Sequence, residues 1–347
     1  VTIADILSAN LDSINSGRIG FEERSLVFEG DTHWATMICG IYRRLKRNGF
    51  LSIPTGSWES VGELWNERYI PSLESGDLPT LLHILRNFLR NELSAGIVSH
   101  VQDRKELESV NGKIICDLVA LSRDFPQSHL SQLEMPCVGN PFGLSIDHYL
   151  IVPDAPRHYA HAHKIAQLVS NIESPRILEI GGGYGGVAYM LQSLKADGRY
   201  QYVICDLEPI LFVALYFLQS CKAILDGSLK LSFVCDKEDL SGLDIAQADI
   251  IFVPTTLISH FLGWKFDLVY KANSFSEMDS GTLAHYFDFI NAVAPRYIFL
   301  QANLWGGSAF DHPTIRLSDF PIGENYRVAE WCYAPWISGA GKSKEIV

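Results

Sequence analysis

Glu179, the glycines Gly181, Gly183, Gly185 and Gly186, and Asp206 are residues whose types and spacing suit ligand chemistry. The loop reads Glu179-Ile180-Gly181-Gly182-Gly183-Tyr184-Gly185-Gly186, between an apolar run at 176–180 and another at 187–194. Where a strand turns sharply into a helix, glycines let the backbone approach a ligand closely, because no Cβ intervenes. Taken as G-x-G-x-x-G, Gly181, Gly183 and Gly186 also satisfy the spacing of a dinucleotide-binding loop. The glycines alone therefore admit two kinds of nucleoside cofactor.

Glu179 separates them. A dinucleotide presents an anionic pyrophosphate to such a loop, and a carboxylate two residues before the first glycine repels it. A buried carboxylate is costly unless a cation offsets it. S-adenosylmethionine brings a cationic α-amino group and a sulfonium, so an acid at the strand tip favours that cofactor. Asp206 ends the next strand about 20 residues beyond the loop, where an acid can hold two ribose hydroxyls. It fits either nucleoside.

Methyl transfer from a sulfonium is an in-line displacement, and a neutral hydroxyl acceptor calls for a base beside it. Glu277 follows the apolar strand 266–271 and is one candidate. It also stands three residues after Ser274, the spacing of a capping box. His158, on a helix expected over 154–169, is the other candidate, with a structural histidine as the alternative. Arg157 beside it suits either a cofactor carboxylate or a loop cap. Asp147, His148, Asp154, His158, His161 and His163 crowd together, and imidazole–carboxylate mixtures bind divalent metals. Their spacing matches no H-E-x-x-H pattern, and no metal is assigned. Trp305, Trp331, Tyr333 and Trp336 offer a platform for a sugar ring or filling for the core.

The elements that must position these residues fall into two regions. Before residue 135 the periodicity is helical, in Ile3, Ile6, Leu7 and Leu11, in Trp34, Met37, Ile38, Ile41 and Leu45, and across 78–93 and 105–123. The Pro/Gly-bearing stretch 136–143 reads as a linker. Beyond residue 175, strands are expected at 176–180, 202–205, 229–235, 250–253, 266–271 and 296–301, with helices at 187–194, 209–225 and 283–293. That alternation argues for a parallel sheet covered on both faces. Residues 326–333 and 344–347 read as a terminal antiparallel hairpin.

Composition limits the partners. The chain has 347 residues, 47% of them hydrophobic, and a formal charge of −12. Nucleic-acid binders draw affinity from basic faces, and the one dense basic cluster, Arg43, Arg44, Lys46 and Arg47, suits a helix end before Gly49. No nucleic-acid partner is expected. No apolar run reaches the roughly 18 residues of a membrane span, and no signal sequence is evident, which favours the cytoplasm. Seven cysteines without a C-x-x-C pair suggest neither a disulfide framework nor a zinc site.

The segment Ile177-Leu178-Glu179-Ile180-Gly181-Gly182-Gly183-Tyr184-Gly185-Gly186-Val187-Ala188 resembles the first motif of class I S-adenosylmethionine-dependent methyltransferases. A wider set resembles the bacterial sugar O-methyltransferase family: Asn140-Pro141-Phe142-Gly143, Pro153-Asp154-Ala155-Pro156-Arg157-His158-Tyr159, Ile204-Cys205-Asp206-Leu207, Asn273-Ser274-Phe275-Ser276-Glu277-Met278 and Asn303. The resemblance covers residues 136 to the end, and loosely Leu85 to Asn91. Lys271 and Ala272 depart from it, standing where a more polar strand end belongs.

The resemblance implies an α/β, Rossmann-like methyltransferase core over residues 136–347. Its mostly parallel sheet would have seven strands and a terminal antiparallel hairpin, preceded by a helical accessory region at 1–135. It implies that S-adenosylmethionine is held by Arg157 and Tyr159, by Glu179, Gly181, Gly183, Tyr184 and Gly185, and by Asp206, Leu207, Asn273 and Ser274. Glu277 and His158 are then the catalytic candidates, and the acceptor a sugar or glycosylated small molecule. A homo-oligomer is compatible with the sequence. A non-sugar natural-product acceptor, a non-catalytic cofactor-binding scaffold and a nicotinamide-dependent oxidoreductase stay open as alternatives.

Overall fold

Apolar residues at helical spacing early in the chain, and in strand-length runs later, sort it into helices packed on one large sheet. The structure, a computed structural model, describes residues 2–3, 28–56, 58–94, 97, 104–146, 149–194, 200–222, 224–225, 227–303, 308–309, 312–334 and 343–346. The first helix expected on Ile6, Leu7 and Leu11 lies outside them.

Helix α1 (Asp31–Asn48) buries Ala35, Ile38, Cys39, Tyr42 and Leu45 and stops at Gly49, whose positive φ of 74° lets its N–H return to the last turn. Its basic end is surface, as expected: Arg44 pairs with Asp236 and Asp239, and Lys46 with Glu74. Helices α2 (Trp58–Trp65), α3 (Tyr69–Ser75), α4 (Leu78–Arg86) and α5 (Arg104–Asp124) follow. α4 ends earlier than its apolar stripe suggests. Asn87 and Asn91 turn their side-chain amides onto the carbonyls of His83 and Ile84, competing with further helical bonds.

Residues 136–143 are packed rather than slack. Gly139 lies against the Phe88 ring, and Arg90 donates to the carbonyls of Asn140 and Pro141. A short antiparallel pair, β1 (Leu144–Ile146) and β2 (Tyr149–Ile151), leads into α6 (Ala155–Leu168).

The large sheet contains β3 (Arg176–Ile180), β4 (Gln201–Asp206), β5 (Leu231–Phe233), β6 (Ile250–Pro254), β7 (Leu268–Ala272), β8 (Tyr297–Asn303), β9 (Trp331–Tyr333) and β10 (Ser343–Ile346). Between them run α7 (Gly186–Ser193), α8 (Glu208–Cys221) and α9 (Ser280–Val293). The strand order is β9-β10-β8-β7-β3-β4-β6-β5. β3 to β8 are parallel, and β9 and β10 form the antiparallel hairpin. The mostly parallel sheet and terminal hairpin are as expected, and its eight strands match the apolar runs, one more than the seven the resemblance implies. β6, buried at every residue, takes the inner place beside β4, and half-buried β5 becomes the edge.

α8 is apolar on nearly every face because it is covered twice, by the sheet and by α1. Trp34 meets Tyr216, and Tyr42 meets Phe212, edge to face. Asp31, buried at this contact, accepts from Arg86 Nε at 2.8 Å and from Tyr216 at 3.3 Å. One hydrophobic cluster therefore runs from the early helices into the sheet. Among the described residues, no helix is long and apolar enough to cross a membrane.

Candidate functional site

A cavity of about 860 Å³ opens at the carboxyl ends of β3, β4, β6 and β7, where the strand order reverses. Open parallel sheets bind ligands at such a point. The glycine loop forms its floor. Gly181 and Gly183 have φ of 74° and 55°, and Gly185, at 87°, starts α7. A Cβ on Gly181 would strike Ser274 Oγ and Lys271 Nζ, whereas Gly183 has open space around it. Asp206 fixes the loop by accepting from Gly183 N at 2.9 Å and Leu207 N at 2.8 Å.

The site is crowded with charge. Glu179 is 4% exposed, and Tyr202 donates to its carboxylate at 3.0 Å. Burial pushes its carboxyl up to about 7, with Tyr202 and Lys271 pulling the other way. Burial likewise raises Asp206 to about 6 against its two N–H donors. Glu277 is half-buried and also raised by burial, opposed by Lys271, the Trp58 indole N–H that bonds it, and Arg157. Arg157 pairs with Asp154 at 3.0 Å, leaving Arg157 Nε and Asp154 Oδ2 without partners among the described residues. His158 is pushed down to about 3, first by burial and then by Arg157. Such an imidazole is a weak base near neutral pH. It packs edge-on against Tyr184 and directly beneath Gly186.

The cavity wall brings together Arg157, His158, Glu179, Gly181, Gly183, Tyr184, Asp206, Leu207, Asn273, Ser274 and Glu277. Tyr159 is a correction. One helical position beyond His158, it turns away from the wall, where Ser128 donates to its hydroxyl at 2.8 Å and the hydroxyl donates to Gln132. Gly185 is not on the wall either; it lies against Leu218 and shapes the start of α7. The capping-box spacing is not used: Asn273 precedes a short turn over Ser274–Glu277, and Asp279 caps α9. Asn273 holds φ 62° and ψ −59°, a strained backbone for a residue with a side chain, tied by its Oδ1 to Gln301 at 2.6 Å.

The clustered histidines disperse. Tyr270 and His161 Nδ1 share a 2.6 Å hydrogen bond, and His163 packs against Tyr159 and Phe125. Asp147 and His148 lie outside the described residues, among which no three metal-binding side chains converge. Trp305 and Trp336 also lie outside, as do the side chains of Tyr333 and Asn303, and Trp331 is 46% exposed.

Two features had no role assigned from the sequence. Lys271 is 1% exposed, lowered to about 8 by burial against the pull of Asp206, Glu277 and Glu179, and donates to Ser274 Oγ. Its signal was there: a lysine inside a strand that is otherwise apolar. The second is a strap, residues 50–56, whose Ser52, Ile53 and Thr55 line the cavity together with Trp58. Ser52 donates to both oxygens of Glu208, at 2.9 and 2.7 Å, Thr55 meets Thr282 at 3.1 Å, and Gly56 packs on the Glu277 carbonyl. Ser52, Ile53 and Thr55 also line a second cavity of about 530 Å³ between this strap and α2.

No protein family and no curated protein matches the chain. Among solved structures it is similar to EvdMO1, at 17% identity over 65% of this chain and 46% of that one, with a TM-score of 0.35. It is also similar to magnesium protoporphyrin IX methyltransferase (ChlM) from Synechocystis PCC 6803 with bound SAH, at 14% identity over 55% and 83%, TM-score 0.35. The METTL16 MTase domain gives 13% identity over 71% and 81%, TM-score 0.36. Likeness at this level says nothing of substrate.

Proposed function

We propose that the chain is an S-adenosylmethionine-dependent O-methyltransferase of the cytoplasm whose acceptor is a sugar hydroxyl, free, nucleotide-linked or glycosidic. Glu179 carries this reading: a buried carboxylate at the strand tip beside the glycine loop, held near neutral and ready to meet a cation. An incoming pyrophosphate would face Glu179, Asp206 and Asp154 on the wall, which argues against a dinucleotide.

The residues present fit the donor. Glu179 holds its α-amino group, Arg157 its carboxylate through a guanidinium with an unpartnered Nε, and Asp206 its ribose hydroxyls. Leu207, Thr255 and Thr256 flank the base. The donor supplies an electrophilic methyl group. Glu277 orients the acceptor hydroxyl, itself positioned by Trp58, and the strap excludes water from the cavity mouth. The seven cysteines are all free thiols, in keeping with a reducing compartment.

The test is transfer of radiolabelled methyl from S-adenosylmethionine to a panel of sugars, sugar nucleotides and glycosides. Turnover on at least one, lowered about 10–150-fold by Glu277→Gln through loss of a charge-assisted hydrogen bond, supports the reading. A second reading, a non-sugar natural-product acceptor, draws on the largely apolar second cavity, with Leu51, Pro54, Trp65 and Ile70 in its wall. Donor binding with no turnover on any sugar would favour it.

A further inference from the structure

Lys271 sits inside the site, yet none of the binding roles above uses it. Its amine donates to Ser274 Oγ and, at 3.2 Å, to the Ala272 carbonyl, and the Phe275 ring lies 5.3 Å away. The charged and titratable groups around it come from every neighbouring element: Glu179 on β3, Cys205 and Asp206 on β4, Glu277 after β7, and Arg157 on α6. Ser274 reaches the cavity wall. The strained turn at Asn273 folds the chain back so that this hydroxyl meets the lysine three residues earlier. A hydroxyl on the wall is thus backed by an amine that is buried.

We propose that Ser274 and Lys271 form a proton relay for the acceptor hydroxyl, with Ser274 touching the acceptor and Lys271 holding the proton. This rests on the methyl-transfer reading above. As the acceptor oxygen bonds to the methyl carbon, its proton passes to Ser274 Oγ. Ser274 gives its own proton to the free pair on Lys271 Nζ, and the sulfur keeps the pair of the broken carbon–sulfur bond. The lysine ends as ammonium and sheds its proton when the next donor brings its sulfonium.

The relay needs the free amine, and the donor provides it. Burial already disfavours the ammonium, lowering it to about 8 against three carboxylates. Lys271, faced by a sulfonium at about 6 Å, would have its proton affinity lowered roughly a hundredfold further. At pH 7 that corresponds to release of about 0.8 proton. S-adenosylhomocysteine has the same ammonium and ribose but a neutral sulfur. Responses of Glu179 and Asp206 to the shared groups therefore cancel when the two ligands are compared, and what these carboxyls release to the sulfonium itself is still released when the lysine is replaced.

The experiment is calorimetric titration of the full chain with each ligand at pH 7, in phosphate and in Tris, whose different ionisation enthalpies give the protons released. S-adenosylmethionine should release about 0.8 proton more than S-adenosylhomocysteine. That share of about 0.8 proton should be lost in Lys271→Met and in Lys271→Arg, the second of which keeps a cation that cannot shed its proton. Equal release by the two ligands in the unmodified chain overturns the relay, as does a difference that is undiminished in Lys271→Arg. If neither ligand binds the unmodified chain, the methyltransferase reading itself fails.

Discussion

Replacing Glu179 with glutamine should push stability and ligand binding in opposite directions. In the folded chain burial raises this carboxyl from 4.5 to about 7. Between those values the folded state keeps a proton that the unfolded chain has lost, so stability falls as pH rises through the window. The full cost is about 3 kcal/mol, present above pH 7 and absent below about 4.5. Glutamine has no charge to bury. Ligand-free Glu179→Gln should therefore be up to about 3 kcal/mol more stable than the unmodified chain at pH 8, and nearly equal to it at pH 5. The same change removes a charge-assisted hydrogen bond to the ligand ammonium, which is worth about 1.5–3 kcal/mol, or roughly 10–150-fold in Kd. Urea denaturation at both pH values and titration with S-adenosylhomocysteine measure the two effects. A variant that is less stable at pH 8, or that binds undiminished, would refute the reasoning.

Three further outcomes follow from the site. Gly181→Ala must place a Cβ at φ 74° against Ser274 and Lys271, and should lose about 1–3 kcal/mol in urea denaturation together with measurable ligand binding. His158→Ala should cost stability through lost packing on Tyr184 but leave the shape of the pH–rate profile between pH 5.5 and 8 unchanged, because His158 is neutral throughout; loss of a limb in that range would make it the base. Trp58→Phe removes a hydrogen bond that favours ionised Glu277, so the acid limb of the profile should move to higher pH; an unmoved limb would separate Glu277 from the rate.

What could be read from the sequence was local. β3 lies where the apolar run 176–180 lay, and Glu179, the glycines and Asp206 are close in sequence to the turns that use them. Tyr159 was misjudged because adjacency in a helix is not a shared face. The Ser274–Glu277 spacing was ambiguous because the strained turn at Asn273, not a helix cap, uses those residues. The runs 229–235 and 250–253 were both legible as strands, but which takes the inner place and which the edge only burial decides. The strap was invisible for a different reason. Ser52 and Thr55 find their partners 156 and 227 residues away, and no periodicity encodes such a contact. Lys271 was noticed as an oddity, but its meaning needed the carboxylates of neighbouring strands around it.

The central claim, a cationic nucleoside held by Glu179 and Asp206 over the glycine loop, is tested most directly by calorimetric titration of one preparation with S-adenosylhomocysteine and with NADH. The account predicts saturable, stoichiometric binding of the first at micromolar concentration and none of the second. Tighter binding of NADH, or no binding of S-adenosylhomocysteine, would contradict it.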